Sequence, residues 1–260
     1  MGVLLGTSGW QYRDWRGPYY PPGLPQARWL QQYAADFATV EINNTFYRLP
    51  KPETFAKWCE TTPDDFVITV KASRYLTHIK RLREPAEPVA RLMAGLEQLG
   101  TKLGPVLIQL PPDMQADLGL LEATLAEFPP AVRLAVEPRH PSWFTDDLYR
   151  TLQARDAALV LADRGSRPIT PVCATASWGY LRLHEGRSSH HPCYGRTALH
   201  SWAERLAELW PPERDADLFV YFNNDPGACA LRDAQFFGRA SRSVGFVTSR
   251  LPDRAIRPDR

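Results

Sequence analysis

The sequence has few cysteines, and their spacing excludes several classes of protein. The four residues Cys59, Cys173, Cys193 and Cys229 are far apart, and no two form a C-x-x-C pair. This spacing argues against a structural zinc site or a disulfide scaffold. Isolated cysteines are typical of a reducing compartment, where a buried thiol behaves as a small apolar group. We therefore expect no disulfide.

Long apolar runs and targeting signals are also missing. No stretch approaches the roughly 18 consecutive apolar residues that a membrane helix needs. The first residues, MGVLLGTSG, lack the basic region and the long apolar region of a signal peptide. Gly6 stands where an N-myristoylation motif would need Ser or Thr. We predict a cytoplasmic protein with no membrane partner.

The charge of the chain is nearly balanced. It has 31 basic and 29 acidic residues, a net charge of +2. Such a balance disfavours a nucleic-acid partner, which usually requires a strongly basic surface. A small-molecule ligand is the partner we predict, and the oligomeric state is left open.

Eight short aliphatic runs alternate with helix-compatible segments along the 260 residues. This alternation predicts parallel strands joined by right-handed crossovers, and its size fits a single (β/α)8 TIM barrel. The alternative is an open doubly wound sheet, but no G-x-G-x-x-G follows the first strand. The expected strands are 4–9, 39–44, 66–73, 104–111, 132–139, 157–163, 178–184 and 217–224.

Two long loops and a tail interrupt this alternation. An aromatic, Pro/Gly-rich loop (10–25) follows strand 1, and a polar loop (185–197) follows strand 7. Both are expected on the C-terminal rim of the strands. We predict one domain over residues 1–249, followed by an Arg/Pro-rich tail, 250–260, that is frayed.

Alternation within the strands separates an apolar face from a polar one. In a barrel strand, successive side chains point to the helices and to the lumen. The helix-facing positions are apolar, and the lumen-facing positions carry polar residues near the C-terminal ends, where such barrels place their chemistry. Because lone buried ions are costly, this ring predicts an ion-pair network or a solvent-filled polar pocket. Its members are Glu41, Asn43, Lys71, Gln109, Glu137, Arg139, Asp163, Arg182, His184 and Asn223.

Several long and chemically unusual motifs resemble one family. The resemblance is to the YecE-like family, also called domain of unknown function 72, and it covers nearly the whole chain. It implies a (β/α)8 barrel loosely related to sugar-isomerase-like barrels, and it supplies no reaction. The motifs are GTSGWQYRDWRGPYYP (6–21), VEINNTFYRLP (40–50), FVITVKAS (66–73), GPVLIQLPP (104–112), AVEPRHPSW (135–143), YLRLHEGR (180–187) and VYFNNDPG (220–227).

Three residues of the ring are candidates for catalysis. Glu41 and Glu137 would form a carboxylate pair for acid/base or glycoside chemistry. The alternative is that each carboxylate pairs with a neighbouring cation and ties strands together. Lys71 is the lysine on a lumen-facing strand position, where it would form a Schiff base, polarise a carbonyl or pair with a glutamate.

The remaining candidates would bind the substrate. Guanidinium and amide groups suit an anionic oxygen. The aromatic loop would supply a stacking surface for sugar rings or an apolar plug over the barrel mouth. The predicted binding residues are Asn43, Gln109, Arg139, His140, Asp163, Arg182, His184, Tyr221, Asn223, Asn224, Trp10 and Tyr12.

We predict no cofactor. The alternative is a divalent metal held by Glu41, Glu137, Asp163 and His184, although the cations of the ring already supply positive charge. The function that we predict is an enzyme acting on a small polar or anionic metabolite, such as a sugar or sugar phosphate, by acid/base chemistry; hydrolysis and isomerisation both stay open. The alternatives are a non-catalytic protein that binds such a ligand and a nucleic-acid barrel that uses loop 10–20 for stacking.

Overall fold

The computed structural model describes residues 2–256 of the chain. The strands that it shows pair in parallel throughout, which confirms the predicted parallel α/β class. They are β1 (Val3–Thr7), β2 (Thr39–Ile42), β3 (Val67–Lys71), β4 (Leu103–Gln109), β5 (Leu134–Glu137), β6 (Ala158–Leu159), β7 (Leu161–Asp163), β8 (Gly179–Leu183) and β9 (Leu218–Phe222).

The strands form two sheets rather than the single sheet that we predicted. Their orders are β1-β9-β8-β7 and β2-β3-β4-β5-β6. The predicted strand 157–163 is divided between them, because Val160 separates β6 from β7. The backbone N–H of Val160 still donates to the carbonyl of Val136 in β5 at 2.9 Å. Since all pairs are parallel, the C-terminal ends of the strands in each sheet lie at one edge.

Eight α-helices lie within the described residues. Five of them lie on segments between the expected strands whose sequence is compatible with a helix, namely 27–37, 88–100, 120–128, 147–156 and 198–210. Two of the helices begin with a side-chain cap. The Asp117 carboxylate accepts a hydrogen bond from the N–H of Leu120, and the Thr145 hydroxyl accepts one from the N–H of Leu148. The helices are α1 (Trp29–Asp36), α2 (Asn44–Tyr47), α3 (Pro52–Thr61), α4 (Ala86–Leu96), α5 (Leu118–Ala126), α6 (Asp146–Ala154), α7 (Arg196–Leu209) and α8 (Cys229–Ser243).

Apolar side chains form two separate clusters. The larger one lies between strands and helices and includes the outward-facing Val40, Ile42 and Val136. The smaller one lies on the inner faces of the strands, beneath the polar residues at their C-terminal ends. Burying each large side chain of this kind stabilises the fold by about 1.5–3 kcal/mol. The inner cluster comprises Leu4, Leu107, Ala135, Ala158, Val160, Ala162, Trp178, Tyr180, Phe219 and Tyr221.

Side chains join the edge strands β1 and β2. The hydroxyl of Tyr33 accepts from the N–H of Thr7 at 2.9 Å and donates to the carbonyl of Thr39 at 3.1 Å. From β9, the hydroxyl of Tyr221 lies 2.7 Å from the hydroxyls of both Thr39 and Thr69. At Gly6, a Cβ atom would overlap the carbonyl oxygen of Thr39. The two strands therefore approach closely, and only glycine fits at this point of β1.

The C-terminal segment is anchored as far as residue 256. Arg250 donates to the carbonyl of Ala34, and the amide of Gln235 donates to the carbonyls of Pro252 and Arg254, each at 2.7 Å. The side chain of Ile256 is buried. The expectation of fraying is therefore wrong for residues 250–256, because their carbonyls find a partner on α8. Residues 257–260 lie outside the described part of the chain.

One pair of cysteines is joined, contrary to our expectation. Cys193, in the loop after β8, forms a disulfide with Cys229, the first residue of α8, whereas Cys59 and Cys173 are free. Spacing along the chain did not reveal this pair because β9 returns the chain to the same edge of the sheet. Because these two cysteines are joined, cysteine usage no longer favours a reducing compartment. In the described part of the chain, no helix has both the length and the hydrophobicity that a bilayer crossing requires.

Candidate functional site

Glu41 lies at the C-terminal end of β2 and is fully buried. It accepts hydrogen bonds from Ser8 Oγ at 2.7 Å, Tyr180 Oη at 2.6 Å and Arg182 Nη2 at 2.8 Å. Burial alone would raise the pKa of this carboxyl, but the charge of Arg182 and the hydrogen bonds from Tyr180 and Ser8 outweigh it and lower the pKa. Glu41 is therefore ionised and fully hydrogen-bonded.

Glu137 occupies the equivalent position at the end of β5. It accepts from Gln109 Nε2 at 2.9 Å, Arg182 Nη1 at 2.6 Å and Arg139 Nη2 at 3.0 Å. Burial again opposes ionisation, but the Arg182 charge and the contacts with His184 and Arg139 bring the pKa well below its usual value. A general acid needs a raised pKa, so this carboxyl is poorly suited to donate a proton.

Arg182 joins the two carboxylates across the inner face of the strands. Its two terminal nitrogens each bind a different glutamate, so that β8 is tied to both β2 and β5. All three side chains are almost completely shielded from solvent. The ion-pair network that the sequence allowed is thus present, and it includes Arg139 on the outer side. Within it, two guanidinium groups balance two carboxylates.

Lys71 ends β3 beside this network but is not neutralised by it. Among the described residues, no carboxylate lies within salt-bridge distance of Nζ, which faces the ring of Phe46 at 4.1 Å from the centroid. Burial, and then the charge of Arg182, lower the pKa of this amine to about 8, although both glutamates oppose the shift. Near pH 7 a part of the amine is therefore neutral.

His184 lies on the same inner face, one residue beyond β8. Its Nδ1 is 3.0 Å from Asn223 Nδ2, and with the amide donating, the ring proton is on Nε2. Nε2 is buried without a hydrogen-bond partner and lies 3.6 Å from Glu137 Oε1. Burial lowers the pKa of the imidazole. A neutral histidine thus directs its N–H toward Glu137 at a distance longer than a hydrogen bond.

The aromatic loop forms a wall beside the network. Trp10 packs edge-on against Trp58 at 5.8 Å, and Tyr12 Oη donates to the carbonyl of Ser8. Both residues line a pocket of about 170 Å³ with Asn43, whose Oδ1 is buried without a partner. The loop is therefore partly a packed plug and partly the wall of a small pocket.

Asp163 does not join the network. Its carboxylate accepts from Tyr194 Oη at 2.8 Å and from Trp202 Nε1 at 2.7 Å, on the helix-facing side of β7. The inner residue is Ala162, which pairs with Arg182 of β8. Our placement of Asp163 in the lumen is wrong. Both faces of this strand carry apolar residues, so the alternation of apolar and polar residues could not show which face points inward. The alternative metal site thereby loses one of its four ligands.

Three other predicted binding residues have structural partners. Asn224 donates to the Asp233 carboxylate at 2.8 Å and to the carbonyl of Pro192. His140 accepts from the N–H of Ser142 at 3.2 Å and so caps a short 3₁₀ helix. Tyr221 lies in the inner apolar cluster, below the glutamates.

Sequence reasoning missed four residues of this region. Ser8 and Tyr180 bind Glu41, and Phe46 covers Lys71. Asp225 follows β9, and its Oδ1 is shielded without a partner; burial raises the pKa of this carboxyl to about 8, and Asp14 and Glu41 add to the shift. The inward position of Ser8 and Tyr180 could have identified both. Phe46 lies in the short helix α2 and Asp225 in the segment after β9, and strand alternation describes neither.

A metal centre is not assembled in the described part of the chain. There, no group of three or more His, Cys, Asp or Glu side chains is placed to hold an ion. The predicted oxygen ligands Glu41 and Glu137 are both engaged by Arg182. A cation entering between them would have to displace this guanidinium.

Comparisons with known proteins agree with the motifs. The family model described as "Protein of unknown function DUF72" matches residues 4–254. The chain is 33% identical to the UPF0759 protein YecE of Escherichia coli over 173 residues, which are 64% of this chain and 60% of that protein. A crystal structure of a DUF72 family protein from Thermotoga maritima superposes with a TM-score of 0.81 at 28% identity, covering 92% of this chain and 98% of that one.

A more distant neighbour shares the fold alone. The crystal structure of D-psicose 3-epimerase in the presence of D-fructose has a TM-score of 0.51 and 10% identity, with 94% of this chain and 96% of that one covered. At this level of identity, the likeness concerns the arrangement of strands and helices.

Proposed function

The chain belongs to the DUF72 family of proteins of unknown function, and we propose that it is an enzyme that transfers protons on a small anionic, hydroxyl-rich metabolite. The site would be the inner C-terminal edge of the strands, where Lys71, Arg139 and His184 surround the paired glutamates. We favour isomerisation over hydrolysis, because hydrolysis by a carboxylate pair needs one acid of raised pKa, and the pKa of both glutamates is lowered.

This proposal includes a closed arrangement of the two sheets as one domain with the architecture of a (β/α)8 barrel. Two observations support it. Strands β6 and β7 are separated only by Val160, which is hydrogen-bonded to β5. At the opposite seam, Tyr33 and Tyr221 bridge the edge strands β1 and β2 to each other and to β9. A closed barrel would surround the inner apolar cluster and leave one polar mouth.

The observation that carries the proposal is the state of Lys71. It is buried, it has no carboxylate partner among residues 2–256, and its pKa is lowered to about 8 by burial and by Arg182. A base whose pKa lies near the working pH combines a useful neutral fraction with enough basicity to remove a proton. The glutamates would act as positioning residues, because they hold Arg182 in place. The charge of Arg182 in turn lowers the pKa of the Lys71 amine.

The charge of the site indicates an anionic substrate. The ammonium of Lys71 adds a positive charge that no carboxylate of the network balances. Arg139 keeps about 30% of its side chain exposed, and Arg182 Nε is buried without a partner. A carboxylate or phosphate group would be held by such donors. The neutral His184 would donate from Nε2 to a hydroxyl or carbonyl oxygen of the same ligand.

A thermal-shift screen tests this function. We expect sugar acids and sugar phosphates to raise the Tm of the full chain, and neutral sugars of equal size to have no effect, because ligands that bind only the folded state stabilise it. Arg139→Ala should remove the effect of the anions. Arg133→Ala is the matched control, since Arg133 lies at the opposite end of β5 in an ion pair with Asp217. Equal stabilisation by neutral sugars, or an unchanged effect in Arg139→Ala, would contradict the proposal.

A further inference from the structure

We infer that Lys71 is a nucleophile that forms an imine with the carbonyl carbon of a small anionic aldehyde or ketone. This inference rests on the anion-binding site of the proposed function and narrows its substrate class, since the ligand must carry a free carbonyl group beside its anionic group. It makes the Lys71 amine the group that bonds to the substrate instead of the base that removes its proton. From the sequence alone, pairing with a glutamate was the role favoured for Lys71. The structure instead places its amine beside both glutamates without a bond to either.

The five lysines of the chain differ in ways that single out Lys71. Lys51 and Lys57 are exposed, and Lys80 is paired with Glu84 at the surface. Lys102 is buried to nearly the same extent as Lys71, but its Nζ donates to the carbonyls of Cys59 at 2.6 Å and Thr62 at 2.7 Å.

The amine of Lys71 has no such acceptors among the described residues. One side of it is covered by the ring of Phe46, and its backbone carbonyl is held by Thr45 Oγ1 at 2.7 Å. The nitrogen is therefore placed by the end of β3 and by α2. Its lone pair, once free of the proton, has no competing partner in the described part of the chain.

The protonation of Lys71 favours attack near neutral pH. With a pKa of about 8 instead of 10.5, about a tenth of the amine is neutral at pH 7, whereas an ordinary lysine is about 0.03% neutral. The fraction able to attack a carbonyl is thus roughly 300-fold higher. Burial is the main cause, and Arg182 reinforces it.

The reaction needs no oxidant or cofactor. The Nζ lone pair attacks the carbonyl carbon, a C–N bond forms, and the π pair moves to oxygen. The two protons of the amine pass to that oxygen, the C–O bond breaks, and water leaves, so the C=N bond of the imine remains. The neutral Nε2–H of His184 is the buried donor available to the departing oxygen, while Arg139 holds the anionic group.

Reductive trapping tests the inference. The full chain is incubated at pH 7 with glyoxylate or pyruvate and sodium cyanoborohydride, which reduces an imine to a stable secondary amine, and the modified lysines are located by peptide mass spectrometry. We expect Lys71 to be labelled at least ~10-fold faster than any other lysine, as its neutral fraction implies. Labelling spread over the exposed lysines with no preference for Lys71 would overturn the inference.

Matched variants separate chemistry from loss of folding. Lys71→Met should abolish the preferred labelling, and Lys102→Met, which removes the other buried lysine, should leave it intact. Each variant is checked by circular dichroism and Tm. If Lys71→Met does not fold, Arg139→Ala serves instead: slower labelling at Lys71 with an unchanged rate at the exposed lysines supports the inference, and an unchanged rate at Lys71 contradicts it.

A carbonyl-free analogue distinguishes this inference from the proposed function. Lactate has the carboxylate and a hydroxyl group but no carbonyl carbon to attack. If lactate and pyruvate both raise the Tm and pyruvate does not label Lys71, the imine is wrong and the proton-transfer site stands. If neither anion binds and Lys71 is not labelled, both are wrong.

Discussion

Lys71 combines burial with a positive charge, and this combination carries a measurable cost in stability. Its pKa in the folded chain, about 8, lies below the ordinary value of 10.5 because of burial and the Arg182 charge. The unfolded chain therefore binds more protons between about pH 8 and 10.5, and stability rises with pH across that window. Below pH 8 the amine is charged in both states, and the buried ammonium lowers the free energy of unfolding by its full amount.

We expect Lys71→Met to stabilise the chain at neutral pH. The substitution removes the buried charge and keeps an unbranched side chain against Phe46. At pH 7 the Tm should rise by a few degrees, since 1 kcal/mol corresponds to roughly 2–4 °C in a domain of this size. The gain should shrink as the pH rises from about 8 to 10.5, because above that window the wild-type amine is neutral in both the folded and the unfolded chain. Lys102→Met should lower the Tm, because the carbonyls of Cys59 and Thr62 would lose their donor. A lowered Tm for Lys71→Met at pH 7 would show that the glutamates need its charge.

At the scale of elements, Arg182 ties three strands together. It links β8 to Glu41 on β2 and to Glu137 on β5. Removing one member of a buried ion network leaves uncompensated charge, which costs about 3–5 kcal/mol. Because the pKa of both glutamates is lowered in the folded chain, the stability they contribute is present above their ordinary pKa of 4.5 and is lost as the pH falls below it.

We therefore expect Arg182→Met to lower the free energy of unfolding by about 3–5 kcal/mol at pH 7. The loss should be smaller at pH 4, where protonation removes the unpaired charges. Urea unfolding at both pH values measures it. Arg133→Met is the control: this residue is paired with Asp217, but 44% of its side chain is exposed, and such surface pairs contribute about 0–1 kcal/mol. An equal loss of stability in both variants would contradict the expectation that the buried ion pairs of Arg182 contribute more than the exposed pair of Arg133.

The disulfide connects two elements beside the same edge. It joins the loop after β8, which follows His184, to the start of α8. Closing a loop of this length in the unfolded chain contributes about 2–4 kcal/mol. We expect a phosphine reductant to lower the Tm of the wild-type chain and to have no effect on Cys193→Ser. If the reductant does not change the Tm of the wild-type chain, and mass spectrometry finds four free thiols before reduction, the two cysteines do not pair.

At the scale of the whole molecule, the seam between β1 and β2 determines whether the two sheets act as one. Tyr33 accepts from Thr7 on β1 and donates to Thr39 on β2. In Tyr33→Phe, the buried N–H of Thr7 and the buried carbonyl of Thr39 would each lose one hydrogen-bond partner. We expect this loss to lower the free energy of unfolding by about 1–3 kcal/mol. In hydrogen exchange, we expect faster exchange of the Thr7 amide and of its neighbours in both strands. Tyr149→Phe, on α6, is the control; equal exchange in the two variants would argue against a seam held by Tyr33.

Much of the fold and part of the site could be predicted from local pattern. Alternation correctly placed Glu41, Lys71, Glu137 and Arg182 on inner faces, because each has apolar residues on both sides that must face the helices. It failed at β7, where Leu161 and Ala162 are both apolar and only the pairing with β8 directs Asp163 outward. The family motifs, which span most of the chain, were confirmed by the match to residues 4–254.

A period of two along a strand is a local property, so the amino-acid order alone was enough to specify which side chains turn inward. The partners of those side chains depend on strand order and register, which bring together residues more than a hundred positions apart, as with Arg182 and Glu41. Only the folded chain therefore shows that Arg182 occupies both glutamates and that Cys193 pairs with Cys229. It also shows that the buried amine of Lys71 meets no carboxylate within the part of the chain that the structure describes.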